Sequence, residues 1–227
     1  MTSASESLKQ AEDPSTGIMI AEHERLAALY LYNSELGEKR ISLYLTVVSA
    51  GAAVLVGVAQ FRVEMSLLLW PGIGFLLAVV IIGVLTFYRL VERRMRATEY
   101  LRAINRIHSY FVQHDSSLAP FFYWPACDDI PSFRGKGTAL EALRDVVALL
   151  NSLFVGALVA VATFILFSEQ FAQLDVAAGI VVAAAAWFLQ EGLERRILTR
   201  AEREAQKYVL FPAPAAKPDY QVDHIGA

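Results

Sequence analysis

A single cysteine, Cys127, is all the thiol chemistry that 227 residues contain. It excludes an intramolecular disulfide, and with it the paired-cysteine chemistry of membrane thiol oxidoreductases. The four histidines, His23, His108, His114 and His224, all lie outside the long apolar runs, so facing apolar helices have no ligands to hold a haem. Cys127, Asp128, Asp129 and the nearby His114 are ligand types, yet nothing has the Cys or His spacing of a zinc site. The simplest place for the two aspartates is a polar turn ahead of Pro131. No phosphate-cradling Gly loop, G-x-S-x-G elbow or kinase motif set occurs, so the sequence predicts no catalytic residue, cofactor or metal. A net charge of −3 gives no electrostatic basis for a nucleic-acid partner.

What the chain has in excess is apolar surface. Hydrophobic residues make up 56% of it before Gly is counted, against roughly 45–50% with Gly included in an ordinary soluble chain. The stretch "LLLWPGIGFLLAVVIIGVLTFY" carries no charge and is followed at once by "RLVERRMRATEYLR". Four such runs, 41–61, 65–88, 146–167 and 174–190, approach or exceed the ~20 residues that cross a hydrocarbon core of about 30 Å. The fourth is the shortest, rich in Ala, and carries Asp175 at one edge; pairing with the third completes it as a span. A backbone in lipid must satisfy its own hydrogen bonds, and these runs lack strand alternation, so all four are predicted to be helices. The expected fold is all-α and polytopic, with four transmembrane helices in two hairpins, 41–88 and 146–190.

Around the spans the sequence predicts a polar, disordered tail over 1–17, unlike a cleavable secretory signal, and an amphipathic helix over 18–40. Between the hairpins, 89–145 extends span two as an amphipathic helix. It then breaks at 114–137 into a loop with Pro120, Pro125, Pro131, Gly135, Gly137 and a cluster of aromatics. Residues 191–227 supply a last helix and a tail. Every Lys and Arg except Arg62 lies before span one, between spans two and three, or after span four. The positive-inside rule then puts both termini and the central segment in the cytoplasm, with the protein in the cell (inner) membrane.

This topology leaves only a few residues outside, so the working parts must be the bundle and its cytoplasmic face. No Asp, Glu, Lys, Arg or His sits inside the bilayer apart from the edge residue Asp175, which weighs against proton-coupled transport. Hydroxyl and amide side chains are the candidates for a pore lining: Ser42, Thr46 and Ser49 in span one, Asn151, Ser152 and Thr163 in span three. Hydrogen bonding between helices is the commoner role of such residues. Gly51, Ala53 and Gly57 in span one, and Gly179 with Ala183 in span four, offer close-packing faces. Arg93, Arg94, Arg96, Phe121, Phe122 and Trp124 are candidates for binding anionic lipid or a cytoplasmic protein partner, although topology and interfacial position also account for them.

The lead-in "YLYNSELGEKRISLYLTVVSAG", with membrane hairpins, cytoplasmic helices and no enzyme motif, resembles the SLATT and related small four-span proteins of bacteria. That resemblance, architectural over about residues 20 to 205, implies a membrane-disrupting or pore-forming effector in a nucleotide-signalled conflict system, and it assigns no functional residue. The topology is also similar to MotA-type stator subunits, whose segment between spans two and three is longer than the 57 residues of 89–145. Two readings stand: a homo-oligomeric pore or membrane effector gated from the cytoplasm, and a non-conducting scaffold or accessory subunit. A reporter inserted at Ser117 is expected to read cytoplasmic and one at Phe171 external; the opposite pair of readings would overturn the topology.

Overall fold

A computed structural model of the chain describes residues 14–60, 65–122, 126–135, 139–167 and 172–213. Among these the fold is all-α. Helix α1 runs Pro14–Ala59, α2 Met65–His114, α3 Ala139–Phe167 and α4 Ala172–Gln206, with a 3-10 turn at Ser116–Phe121 after α2. Pro14 opens α1 four residues ahead of the expected Ile18, because a proline at the first helical position has no N–H to lose and a φ already suited to a helix. Residues 1–13 of the predicted tail, Trp124 in the aromatic loop and Phe171 lie outside the described residues.

The helices are longer than the apolar runs within them. At 1.5 Å per residue, the 50 residues of α2 reach about 75 Å, more than twice the hydrocarbon thickness. No Gly or Pro interrupts the sequence from Arg89 to His114, so the basic stretch simply continues the helix. Pro71 falls in its second turn, where a single backbone bond is lost. At the other end the His114 ring nitrogen reaches the Tyr110 carbonyl (2.9 Å), and Asp115 caps the 3-10 turn by accepting the Ser117 N–H (2.9 Å) and hydroxyl (2.6 Å).

All four helices are long and apolar enough to cross a membrane. Their most apolar windows have mean hydropathies of 2.1, 2.3, 2.3 and 1.6 along the chain, the lowest belonging to the Ala-rich fourth. Only 12, 17, 17 and 6% of those windows is buried within the protein. Leu43, Val54, Leu85, Ile180, Val181 and Phe188 are among the large apolar side chains left exposed. Water does not tolerate such a continuous apolar surface, and lipid does. The chain therefore fits a multi-pass membrane protein.

Two compact units divide the fold. The apolar unit comprises Tyr32–Arg96 and Arg134–Arg200, with a core of Ile41, Tyr44, Val79, Phe87, Leu90, Val91, Val147 and Ala148. In it the helices approach closely where side chains are smallest. A Cβ on Gly156 would sit 2.5 Å from the Gly179 carbonyl oxygen and 2.8 Å from the Ala183 Cβ, and one on Gly179 would lie 2.8 Å from the Gly156 oxygen. Gly51 gives way to the ring of Phe75 in the same manner. Around Gly57, Gly72 and Gly74 there is open space instead.

The second unit joins the start of α1, the end of α2, the described part of the loop 126–133, and the end of α4 with the chain that follows it. Its loop is held by side chains rather than by a ladder. Asn105 donates to the Ile130 carbonyl (2.7 Å) and Arg102 Nε to that of Pro131 (2.9 Å), while the Arg102 guanidinium lies over the Phe133 ring. Glu202 takes Arg102 on one carboxylate oxygen, and the Ser132 hydroxyl and Phe133 N–H on the other, each of the latter at 2.8 Å. Asp128, fully buried, accepts Arg106 (2.8 Å) and the N–H groups of Leu210 (3.0 Å) and Phe211 (2.8 Å). Asp129 accepts the Ala213 N–H at 2.9 Å.

Burial alone would raise the Asp128 carboxyl, but the two N–H groups and the guanidinium outweigh it and hold it below its ordinary range. A depressed carboxyl stabilises the fold fully above the unfolded value near ~3.9 and loses that contribution as pH falls through its lower folded value. Asp128→Asn is therefore expected to cost about 1–3 kcal/mol at neutral pH, with the gap to the wild type closing below about pH 4. Denaturant unfolding in micelles across that range measures it; a gap that does not change with pH would refute the account.

Candidate functional site

Polar side chains within the apolar unit form three groups, and each arises from helical spacing. The first is ionic. Arg94 of α2 donates to Glu194 Oε1 (2.8 Å), and Arg144 of α3 reaches the other oxygen of the same carboxylate. Arg144 also lies 3.5 Å from Glu191 and touches Asp145, and Arg94 donates to the Gly135 carbonyl. Glu194 is 2% exposed and Arg144 6%, so the charges are largely out of water. Three helices are clamped on one carboxylate, with Glu191 helping to offset the second guanidinium.

The second group lies one helical turn back from Glu194 on α4, at Gln190. Its amide nitrogen donates to the Ser152 hydroxyl (2.9 Å), and its oxygen accepts from the Asn151 amide (3.3 Å). Ser152 in turn donates to the Ala148 carbonyl (2.8 Å). Arg144, Asn151 and Ser152 are spaced by seven and one, which is two turns of helix, so they reach the same side of α3 as Gln190 and Glu194 reach on α4. The Asn151 oxygen and the Tyr44 hydroxyl, both buried and without a partner among the described residues, converge on Gly83. A Cβ there would meet them at 2.6 and 3.0 Å. Gly83 is thus the notch that admits Asn151 and Tyr44 against the α2 backbone.

The third group faces outward. Ser42, Thr46 and Ser49, at intervals of four and three, share one exposed face of α1. They line a groove of about 690 Å³ with Leu45, Ala50 and Leu143 along it and Glu38 among its walls. Thr46 returns a hydrogen bond to the Ser42 carbonyl (2.8 Å), the usual way a hydroxyl in an apolar helix is satisfied. The six candidate lining residues therefore separate. Three share this outer groove, Asn151 and Ser152 are bonded inside, and Thr163 bonds back to Val159 and Ala160 of its own helix.

The candidate packing residues divide too. Gly179 and Ala183 meet Gly156, and Gly51 meets Phe75, whereas Ala53 is exposed and Gly57 stands in open space. The three arginines singled out for lipid or partner binding are engaged within the apolar unit. Arg93 donates to the Asn33 carbonyl (3.2 Å), Arg94 holds Glu194, and Arg96 binds Glu92 at 2.6 Å. In the other unit Phe121 is exposed and Phe122 stacks on His108.

Cys127 is buried, and that burial, with Asp129 and Asp128 beside it, pushes its thiol up to about 11, leaving it protonated and unreactive at neutral pH. Among the described residues no three His, Cys, Asp or Glu side chains converge as a metal site would require. Sequence reasoning passed over Gly83, Gly156, Arg144, Gln190 and Glu194. The spacing of Gln190 and Glu194 on one face of α4, opposite Arg144 and Asn151 on α3, was the signal available. No protein-family model, curated protein or solved structure matches the chain.

Removing one member of a buried ionic group leaves the others without compensation. Glu194→Gln is expected to destabilise the protein by about 3–5 kcal/mol in denaturant titration in micelles, more than replacing Glu194, Arg94 and Arg144 together with Met. If the triple replacement costs more than the single one, the carboxylate is not what holds the two guanidiniums in place.

Proposed function

We propose that the chain is a subunit of a homo-oligomeric pore in the cell inner membrane, with two helical hairpins, both termini cytoplasmic, and gating from the cytoplasmic side. The observation that carries this reading is the outward-facing stripe of Ser42, Thr46 and Ser49 on α1. A hydroxyl bonded within its own helix, as Thr46 is to the Ser42 carbonyl, can face lipid, but three on one groove gain water as a further partner along a hydrated path between subunits. The interior argues the same way from the opposite side. Asn151, Ser152 and Gln190 bond one another, and the carboxylate of Glu194 is shared between two arginines, so a route through one subunit would have to break both groups.

On this reading, copies of the chain meet along α1, the groove becomes part of the lumen, and Glu38 at the cytoplasmic approach favours cations over anions. The open faces at Gly57, Gly72 and Gly74 leave room for a neighbouring helix. The architectural resemblance to SLATT proteins supports a bacterial stress or defence setting. No catalysis enters the mechanism. The alternative, a non-conducting scaffold that binds anionic lipid or a soluble partner through Arg93, Arg94 and Arg96, is disfavoured at Arg93 and Arg94 by the partners they hold on other segments, whereas Arg96 is exposed and paired only within its own helix.

Potassium and chloride flux through proteoliposomes of the purified protein tests the proposal. The wild type is expected to pass potassium preferentially, and Thr46→Leu with Ser49→Leu to cut the flux at least about tenfold without changing the oligomer. Vesicles that stay tight with the wild-type protein would favour the scaffold; undiminished flux in the double variant would remove the α1 stripe from the path.

A further inference from the structure

Two histidines that no part of the proposed pore uses face each other in the loop-bearing unit. His23 of α1 and His108 of α2 bring their Nε2 atoms to 3.3 Å, with ring centroids 5.3 Å apart. One face of the His108 ring is covered by Phe122, stacked at 4.3 Å and 17° from parallel. His108 Nδ1 is buried and has no partner among the described residues. Three separate pieces of chain therefore meet on one imidazole: the first helix, the second helix, and the segment that follows the 3-10 turn.

The geometry restricts where protons can be. Only one hydrogen fits between two facing Nε2 atoms, so one ring must offer a lone pair there. The arrangement with fewest unmet needs has His108 neutral, its Nε2–H donated to His23 and a bare lone pair at Nδ1. A proton added to His23 Nε2 would set two N–H groups head to head, one added to His108 Nδ1 would leave a buried N–H unpaired, and both together would place like charges at stacking distance.

Charged groups nearby do not relieve this. Beside His23 on α1, Glu22 is bound to Arg25 at 3.2 Å and Glu24 is exposed. On α2, Arg106 is committed to Asp128 and the His114 ring to the Tyr110 carbonyl, and on the 3-10 turn Asp115 is held by Ser117. No carboxylate among the described residues forms an ion pair with either imidazole. The α1 segment that carries His23 is lightly anchored otherwise: Leu26 is the one buried side chain described before Tyr32.

We propose that His23, His108 and Phe122 form a proton-operated latch, which holds the first turns of α1 when the facing nitrogens share one proton and releases them when both rings are charged. Burial, and then the facing His23, depress the basicity of His108. A base depressed on folding stabilises the closed form above its ordinary value near ~6.5 and loses that contribution as pH falls below it. The latch is closed at neutral pH and opens on acidification below that ordinary value.

Hydrogen exchange of the 18–31 amides reads the latch directly, using the full-length protein in lipid nanodiscs at about pH 7.5 and 5.5, corrected for the intrinsic pH dependence of exchange. In the wild type, exchange at the lower pH is expected to accelerate by at least about tenfold. His108→Phe keeps a ring on Phe122 and removes the proton, so the acceleration should vanish. His23→Phe should do the same from the other helix and serves if the first variant does not fold. Equal corrected exchange at both pH values in the wild type, or acceleration that survives in either variant, would overturn the latch.

Discussion

The carboxylate of Glu194, held between guanidiniums from two other helices, is the constraint on which the apolar unit depends. Helices whose outer faces are as oily as lipid gain little from burying apolar surface against one another, because the tails beside them are equally apolar. Register and rotation must then come from contacts that lipid cannot replace. An ion pair with both partners nearly out of water is one, since any slip of α2, α3 or α4 would strand a charge. Gln190, one turn away, repeats the device with neutral groups, and the Gly156–Gly179 approach supplies the third kind of contact, a backbone-to-backbone fit that no larger residue would allow.

These contacts also explain how much the sequence made legible. Four apolar helices follow from composition and length alone, because a chain in hydrocarbon has almost no other way to satisfy its amides. Helix ends were less legible: α1 starts at Pro14 through a local property of proline that the apolar pattern does not register. Pairings were hardly legible at all. Arg94 and Arg144 read from the sequence as basic residues that set topology, since their partner is 100 residues from the first and 50 from the second. Gly179 and Ala183 stood out as small, yet Gly156 opposite them did not, because periodicity along one helix carries no information about register between two.

The polar residues show the same limit. Ser42, Asn151 and Thr163 are alike as sequence, each a polar side chain in an apolar run, and they sit in three different situations. Ser42 opens on a groove, Asn151 is locked against Gln190 and Gly83, and Thr163 bonds its own backbone. Only the neighbouring helix distinguishes them. The loop makes the point from the other side. Asp128 and Asp129 read as residues of a simple polar turn, whereas their carboxylates gather N–H groups from more than 80 residues further along the chain.

From this distribution follows a restriction on any conducting form. Interior polar groups that bond one another favour a dry, closed subunit, and separating Gln190 from Ser152 and Asn151 would remove the side-chain hydrogen bonds that join α4 to α3 there. Opening a path inside the subunit would require that loss together with disruption of the Glu194 clamp. A path between copies requires neither, because the outward hydroxyls of α1 exchange lipid for water while every interior bond persists. On the proposed reading, the outer face of α1, rather than the polar centre, is the surface on which assembly and conduction would be joined.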